Sequence, residues 1–267
     1  MRICTLASSS SGNCTIVSRG NTHLLIDAGI SLRRIREGLR RVGLTPDELT
    51  CVLVTHEHID HVSGISMLIK YHKTPIFSSC GAGSGICRAI PESGPFLNCF
   101  ETGVEFELGD IVVRSFNTPH DASGSVGYTL RAGGKMLAYV TDLGCVTEEV
   151  ASAAQGADIA IIEANHDQEM LINGPYPYFL KQRILSQSGH LANCDSGRLA
   201  AWLASSGLRY IQLAHLSREN NTPELARRTV EQALAAEGFA VGEGFAVGEG
   251  IHLDVAPPYE PGRVYIM

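Results

Sequence analysis

The stretch Thr55-His56-Glu57-His58-Ile59-Asp60-His61 follows the apolar run Cys51-Val52-Leu53-Val54. A short continuous apolar run of this kind reads as a strand buried on both faces. His56 and His58 stand two apart, so in extended backbone their rings leave the same face. Asp60 and His61 fall where the chain turns towards a helix. Four ligand-type side chains within six residues resist burial unless a cation pairs with them. The helical zinc motif His-Glu-x-x-His is not formed, because position 60 is Asp.

Four ligands in one loop exceed the protein ligands that one catalytic ion takes and fall short of two ions' needs. The remainder is expected at other strand ends. His120 stands in Thr118-Pro119-His120-Asp121, after the apolar run 111–117. Asp142 follows the run 136–141 at its end, and His215 follows the run 210–214. Strand ends on one edge of packed sheets converge, so polar residues placed just beyond apolar strands build a site.

The same reading along the chain gives strands at 3–6, 15–18, 23–27, 51–55, 76–78, 105–108, 111–117, 126–131, 136–141, 159–163, 210–214 and 263–266. Helical periodicity marks 31–42, 64–71, 148–155, 195–205 and 223–236. Thr222 and Pro223 are an N-cap and first-turn pair for the last helix. Helices separated by strand clusters imply two sheets sandwiched between helices. No Pro/Ser-rich linker interrupts the pattern, so a single domain over residues 1–267 is expected.

Composition narrows the class. Of 267 residues, 44% are hydrophobic and 18% charged, which excludes a disordered chain. The net charge of −7 means that a nucleic-acid partner has to be met by a local patch or by bound metal. The eight cysteines form no Cys-x-x-Cys and read as small buried hydrophobes of a reducing compartment. No run reaches the roughly 18 apolar residues of a membrane helix. The N-terminus lacks a signal-type apolar core. A soluble cytoplasmic protein, with no membrane partner, is the expectation.

The order of these motifs resembles the metallo-β-lactamase fold superfamily over nearly the whole chain. That resemblance implies an α/β fold, a four-layer αββα sandwich with the site at one edge. It implies two divalent ions, one held by His56, His58 and His120, the other by Asp60, His61 and His215, with Asp142 between them. Zn, Mn and Fe all suit such a donor set. Two cations about 3.5–4 Å apart can clamp the attacking and leaving oxygens of a displacement.

Three segments point within the superfamily. Glu163 ends the run 159–163, and His190 stands in Ser188-Gly189-His190-Leu191 before a helix. Together with His215 they resemble the Glu-Ala, Gly-His-Ser and Thr-His-Phe-Ser segments of RNase Z-type enzymes. The resemblance implies that His190, oriented by Glu163, protonates a leaving oxygen, while Asp60 orients or deprotonates the attacking water. Ser8-Ser9-Ser10-Ser11-Gly12-Asn13-Cys14 resembles a Ser-Gly-Ser-Ser-Gly-Asn stretch of the YycJ/WalJ-like branch, with Ser11 and Asn13 as candidate phosphate contacts. His215-Leu216-Ser217-Arg218-Glu219-Asn220-Asn221 is similar to that branch's His-Leu-Ser-x-Glu-Asn-Asn. Ala192-Asn193 departs from its Ser-Asn.

The implied activity is a metal-dependent phosphodiesterase acting on nucleic acid, a 5′-to-3′ DNA exonuclease. The stretch between Asp142 and His215 has no room for the β-CASP domain of RNase J-type enzymes. No basic, Gly-rich arm of the RNase Z kind is present. Two other readings stand beside it: a hydrolase of thioesters, lactones or cyclic nucleotides, which the acidic charge favours, and a non-catalytic metal-binding sensor.

Four further segments carry expectations. Arg33, Arg34, Arg36, Arg40 and Arg41 share one broad face of the helix at 31–42, opposite Leu32, Ile35, Leu39 and Val42, so Arg36 and Arg40 are candidate nucleic-acid contacts. Cys80-Gly81-Ala82-Gly83-Ser84-Gly85 reads as a flexible loop, not a dinucleotide fingerprint. Tyr176-Pro177-Tyr178-Phe179-Leu180 reads as core or lid packing, with base stacking as the alternative. The tandem Phe-Ala-Val-Gly-Glu-Gly at 239–244 and 245–250 reads as a duplication in a surface turn.

Overall fold

A computed structural model describes residues 1–242 and 250–267. Most of the tandem repeat, residues 243–249, lies outside the described residues. The chain divides into two compact units. The first comprises Met1–Asn117, Ala122–Gly134 and Pro257–Met267; the second comprises Thr118–Asp121 and Lys135–Ala256. Two mixed seven-stranded sheets with flanking helices make up the fold.

In the first unit, β1 (Arg2–Ala7), β2 (Cys14–Arg19) and β3 (Thr22–Ile26) form an antiparallel meander, with β14 (Val264–Ile266) on the outer side of β1. Pairing then turns parallel through β4 (Cys51–Leu53), β5 (Ile76–Ser79) and β6 (Leu97–Phe100). Parallel pairs need crossovers, and helices α1 (Leu32–Arg41), α2 (Ile59–Val62), α3 (Ile65–His72) and α4 (Cys80–Ala89) supply them. Leu25, Val52 and Val54 from the sheet region pack with Ile35, Leu39, Ile65, Leu68 and Ile86 from the helices in one apolar cluster. The same unit carries the antiparallel ladder of β7 (Glu105–Leu108), β8 (Ile111–Asn117) and β9 (Val126–Ala132).

The expected flexible loop at Cys80–Gly85 is instead the first turn and a half of α4. Ser79 caps it by accepting the Ala82 N–H. Its glycines suit close packing: a Cβ on Gly85 would stand 2.5 Å from the Glu57 side chain. Tertiary contact here overrides the low helix propensity of glycine.

The second unit is built on four parallel strands, β10 (Lys135–Val140), β11 (Ile159–Glu163), β12 (Tyr210–Ala214) and β13 (His252–Val255). All five residues of β11 are buried, as a strand covered on both faces requires. Connecting helices are α5 (Glu148–Ala154), α6 (Gln168–Asn173), α7 (Tyr178–Ile184), α8 (Asn193–Ser205) and α9 (Pro223–Ala236). α9 begins where its Thr222 cap predicts. The register pairs Val140 with Ile162 and Glu163 with Ala214. Asp142, Glu163 and His215 therefore emerge at the same, carboxyl edge, the edge at which open α/β sheets bind ligands. Among the described residues no helix is long and apolar enough to cross a membrane.

Candidate metal centre and active site

In the first unit the His-x-His-x-Asp-His loop leaves the carboxyl end of β4. His58 caps α2, which places Asp60 and His61 in its first turn. His56 and His61 are fully buried. Their ring centroids lie 4.1 Å apart, and those of His56 and His58 4.5 Å. Such crowding of imidazoles suits a cation rather than an apolar core.

The supporting residues fix which nitrogen each ring offers. Asp27, fully buried, takes the Nδ1–H of His61 at 2.8 Å and the Thr55 backbone N–H at 2.8 Å. A carboxylate only accepts, so His61 carries its proton on Nδ1 and its lone pair on Nε2. The Thr55 hydroxyl proton goes to Asp27, at 3.0 Å from Oδ2, so its oxygen accepts from His56 Nδ1 at 3.0 Å. His56 is thereby set to offer Nε2 as well. Hydrogen bonds of this kind, made to the ring nitrogen that faces away, are what orient imidazoles for a metal.

Asn13 acts on the same loop. Its backbone N–H donates to the Asp60 carbonyl at 2.8 Å, and its Nδ2 lies 3.3 Å from Asp60 Oδ2 and 3.1 Å from His61 Nε2. Asn13 is buried, while Ser11 is exposed. The close approach depends on Gly29, where a Cβ would meet the Asp60 carbonyl oxygen at 1.6 Å.

In the second unit the organiser is Glu163, fully buried at the end of β11. Its Oε1 accepts Nδ1–H from both His190 and His215, each at 2.8 Å. Its Oε2 accepts the backbone N–H of Leu143 at 3.0 Å and of Leu191 at 3.3 Å. Burial alone would raise the pKa of this carboxyl group. The positive ends of the two histidines and their hydrogen bonds outweigh burial and hold it below the usual carboxylate range. Asp142 Oδ1 stands 3.4 Å from His215 Nδ1 and 3.8 Å from His190 Nδ1. Asp142, Glu163, His190 and His215 each offer a ligand atom within 4.8 Å of the others'.

His120 joins this group: its ring centroid is 5.0 Å from that of His190. Its Nδ1–H donates to the Gly189 carbonyl at 3.0 Å, which leaves the lone pair on Nε2. Burial lowers its pKa. The same cause takes the buried neighbour His166 down to about 4.

Both units hold their functional residues at strained backbone. Asp27, Asp142 and His215 have φ of +60°, +58° and +57°. Left-handed conformations cost non-glycine residues about 1–3 kcal/mol and cluster at functional sites. Asparagines staple the loops that bear the ligands. Asn165 Nδ2 donates to the His215 carbonyl, and Asn221 Nδ2 to the Ala164 and Asn165 carbonyls. Asn193 and Asn221 exchange amide hydrogen bonds at 3.0 and 2.8 Å, and Ser196 Oγ donates to the Glu163 carbonyl. These interactions give the His-Leu-Ser-x-Glu-Asn-Asn segment a structural reason.

Sequence reasoning singled out Glu163, His190 and the seven ligand candidates, but not Asp27, Thr55, Asn165 or Asn193. The signal for Asp27 was present: Asp27-Ala28-Gly29 ends its strand as Asp142-Leu143-Gly144 ends another. The arginine face on α1 is real. Leu32, Ile35, Leu39 and Val42 are buried, and Arg36 and Arg40 exposed. Part of it is committed elsewhere in the first unit: Arg34 donates to the Pro258 carbonyl, Arg41 to the Pro261 carbonyl, and Arg36 meets His72 at 3.0 Å.

The donor set fits divalent metal. It is imidazole and carboxylate, and His56, His61, His120 and His215 turn Nδ1 to buried acceptors, which leaves Nε2 for a metal.

Comparison with known proteins agrees with this chemistry. A family model described as the β-lactamase superfamily domain matches residues 22–216. The chain is 37% identical over 240 residues to exodeoxyribonuclease YycJ of Bacillus anthracis, covering 89% of this chain and 90% of that protein. It is 36% identical over 245 residues to exodeoxyribonuclease WalJ of Streptococcus pneumoniae, covering 89% of each. Among solved structures, the metallo-β-lactamase fold protein YhfI of Bacillus subtilis aligns with a TM-score of 0.73 over 99% of both chains, at 16% identity. By sequence, fold and donor chemistry, this chain belongs to the metallo-β-lactamase superfamily.

Proposed function

We propose that the protein is a metal-dependent exodeoxyribonuclease of the YycJ/WalJ type, degrading DNA in the 5′-to-3′ direction with two divalent ions. The observation that carries this reading is similarity to YycJ over nine-tenths of both chains. The fork by which Glu163 orients His190 and His215 supports it.

In this reading the ions would be held by His56, His58, Asp60, His61, His120, Asp142 and His215. When bound, the ions supply a nucleophile at neutral pH and positive charge for the phosphoryl oxygens. The protein's own groups do the rest. Asp60, steadied by Asn13, orients the attacking water and takes its proton. Glu163 accepts the Nδ1–H of His190, whose imidazolium form carries a second proton on Nε2, gives it to the departing oxygen and is left as neutral imidazole. Asp27 and Thr55 keep His61 and His56 from turning. Asn13, buried against Asp60 and His61, serves by positioning them, and the exposed Ser11 is the phosphate contact of that loop. Arg36 and Arg40 add positive surface for the backbone of the strand.

The test is direct. Protein loaded with Mn, Zn or Mg is incubated with DNA and RNA of one sequence, and with thioester, lactone and cyclic-nucleotide substrates. Metal-dependent loss of DNA is expected. Turnover confined to a small molecule would replace this reading with a small-molecule hydrolase.

A further inference from the structure

Helix α7 ends in the catalytic loops and begins in solvent. At its carboxyl end the Ile184 carbonyl accepts the His190 N–H at 3.0 Å. The Gly189 carbonyl, one residue before His190, holds His120 Nδ1. Arg183 Nε pairs with Asp121 Oδ2 at 2.5 Å, next to His120 in sequence. At the other end Tyr178 and Phe179 are 76% and 73% exposed. The expectation of core packing is therefore corrected: the rings are exposed. Ile172 of α6, 58% exposed, adds to the apolar surface, and Lys181 Nζ braces the two helices by donating to its carbonyl at 2.7 Å. Large apolar side chains exposed on two braced helices mark a binding surface more often than an isolated residue does.

Charge points to the occupant. The chain has 28 acidic residues, yet none occurs between positions 170 and 194, where Lys181 and Arg183 supply two cations. Arg183 is paired with Asp121, so Lys181, held on a carbonyl and not on a carboxylate, is the cation this stretch offers to a polyanion. Distance fits as well. Seven helical residues rise about 10 Å, or roughly three phosphate steps at about 3.4 Å along a B-form strand.

We propose that Tyr178 and Phe179 form a base-stacking platform for the DNA strand entering the His190 site. The inference rests on the exonuclease reading and deepens it. A nuclease that removes nucleotides in succession has to grip every sequence, and stacking does so because every base has a π face. Adjacent on a helix, the two rings diverge by about 100° and so serve neighbouring bases. The helix that carries them also holds the loops of His190 and His120, so a stacked strand stays in register with the proton donor. Tyr178 and Phe179 are binding residues; they take no part in the chemical step.

The test compares wild type with Tyr178→Ala plus Phe179→Ala, and with Tyr178→Phe alone, all as metal-loaded full chains. Affinity for a labelled single-stranded oligodeoxynucleotide is read by fluorescence anisotropy, together with thermal stability, sedimentation and hydrolysis of bis(4-nitrophenyl) phosphate, which is too short to reach the rings. The double alanine variant should bind roughly 5- to 150-fold more weakly per ring removed, with melting temperature, metal content and small-diester turnover unchanged. Tyr178→Phe should bind as wild type does. Unchanged DNA affinity in the double variant would overturn the inference. So would a switch from dimer to monomer with DNA affinity per protomer retained, which would assign the rings to self-association. A wild-type protein that hydrolyses the small diester but neither binds nor degrades DNA would overturn the exonuclease reading, and this inference with it.

Discussion

The two clusters of ligand-type residues, one in each unit, are built in opposite ways. In the first unit, four ligand-type residues lie within positions 56–61, and their supports, Asp27, Thr55 and Asn13, come from neighbouring strand ends. In the second, His120, Asp142, Glu163, His190 and His215 are spread over 96 positions, and one carboxylate gathers two of the rings. The first cluster is local: His61 gives its Nδ1 proton to Asp27, and His56 gives its own to the Thr55 hydroxyl, which Asp27 holds in turn. The second depends on strand register and on Glu163, which carries four hydrogen bonds. Damage to the second half should therefore spread further than damage to the first.

The largest expected effect comes from Asp142→Ala. The wild type should carry two ions per chain by elemental analysis. The variant should lose metal and fall in rate beyond the roughly 10²–10⁴-fold that one acid or base group is worth. An active wild type with one ion or none would break the dinuclear reading.

Next come His190→Ala and Glu163→Gln. His190→Ala should keep its metal and lose roughly 10²–10⁴-fold in DNA turnover, with a smaller loss on a nitrophenyl diester, whose leaving group needs no proton. Equal losses on both substrates would argue against proton donation. Glu163→Gln should do more. Its amide would put an N–H against the backbone donors Leu143 and Leu191, or against the two imidazole N–H groups, so both rings lose their orientation. If the two variants behave alike, His215 does not depend on Glu163 and the contrast between the halves fails.

The matching change in the first unit is Asp27→Asn. It disturbs the tautomer of His61 directly and His56 only through the Thr55 hydroxyl, so metal affinity should fall about 10–100-fold. Metal titration against a chelator measures this. A loss as deep as that of Asp142→Ala would show the first cluster to be no more tolerant of change than the second.

How much of this was legible in the sequence follows the same division. The loop at 56–61 declares itself because its chemistry is concentrated in six positions after an apolar run. Asp142, Glu163 and His215 were legible as polar residues ending apolar strands, since parallel strands buried on both faces leave their period-free signature. The supports were not. Asp27 looks like any turn aspartate until β3 and β4 are paired, and Asn193 and Asn221 meet only through the fold. α4 was masked by glycines that serve packing against Glu57, and the exposure of Tyr178 and Phe179 by an apolar composition that reads equally well as core.

The smallest effect is expected on α1. Arg36→Glu plus Arg40→Glu should weaken DNA binding and flatten its salt dependence by roughly 0.7–0.9 in slope for each phosphate contact removed. Small-diester turnover should hardly change. An unchanged slope would remove this face from the binding surface and leave α7 as the main contact.

The measurement that tests the central claim most directly is degradation of duplex and single-stranded DNA labelled at the 5′ or the 3′ end, with divalent metal present. The account predicts early release of short 5′-labelled product while 3′-labelled strands shorten gradually from their far end, all of it abolished by chelation. Internal fragments from the first time points, early release of the 3′ label, or degradation that survives chelation would contradict it.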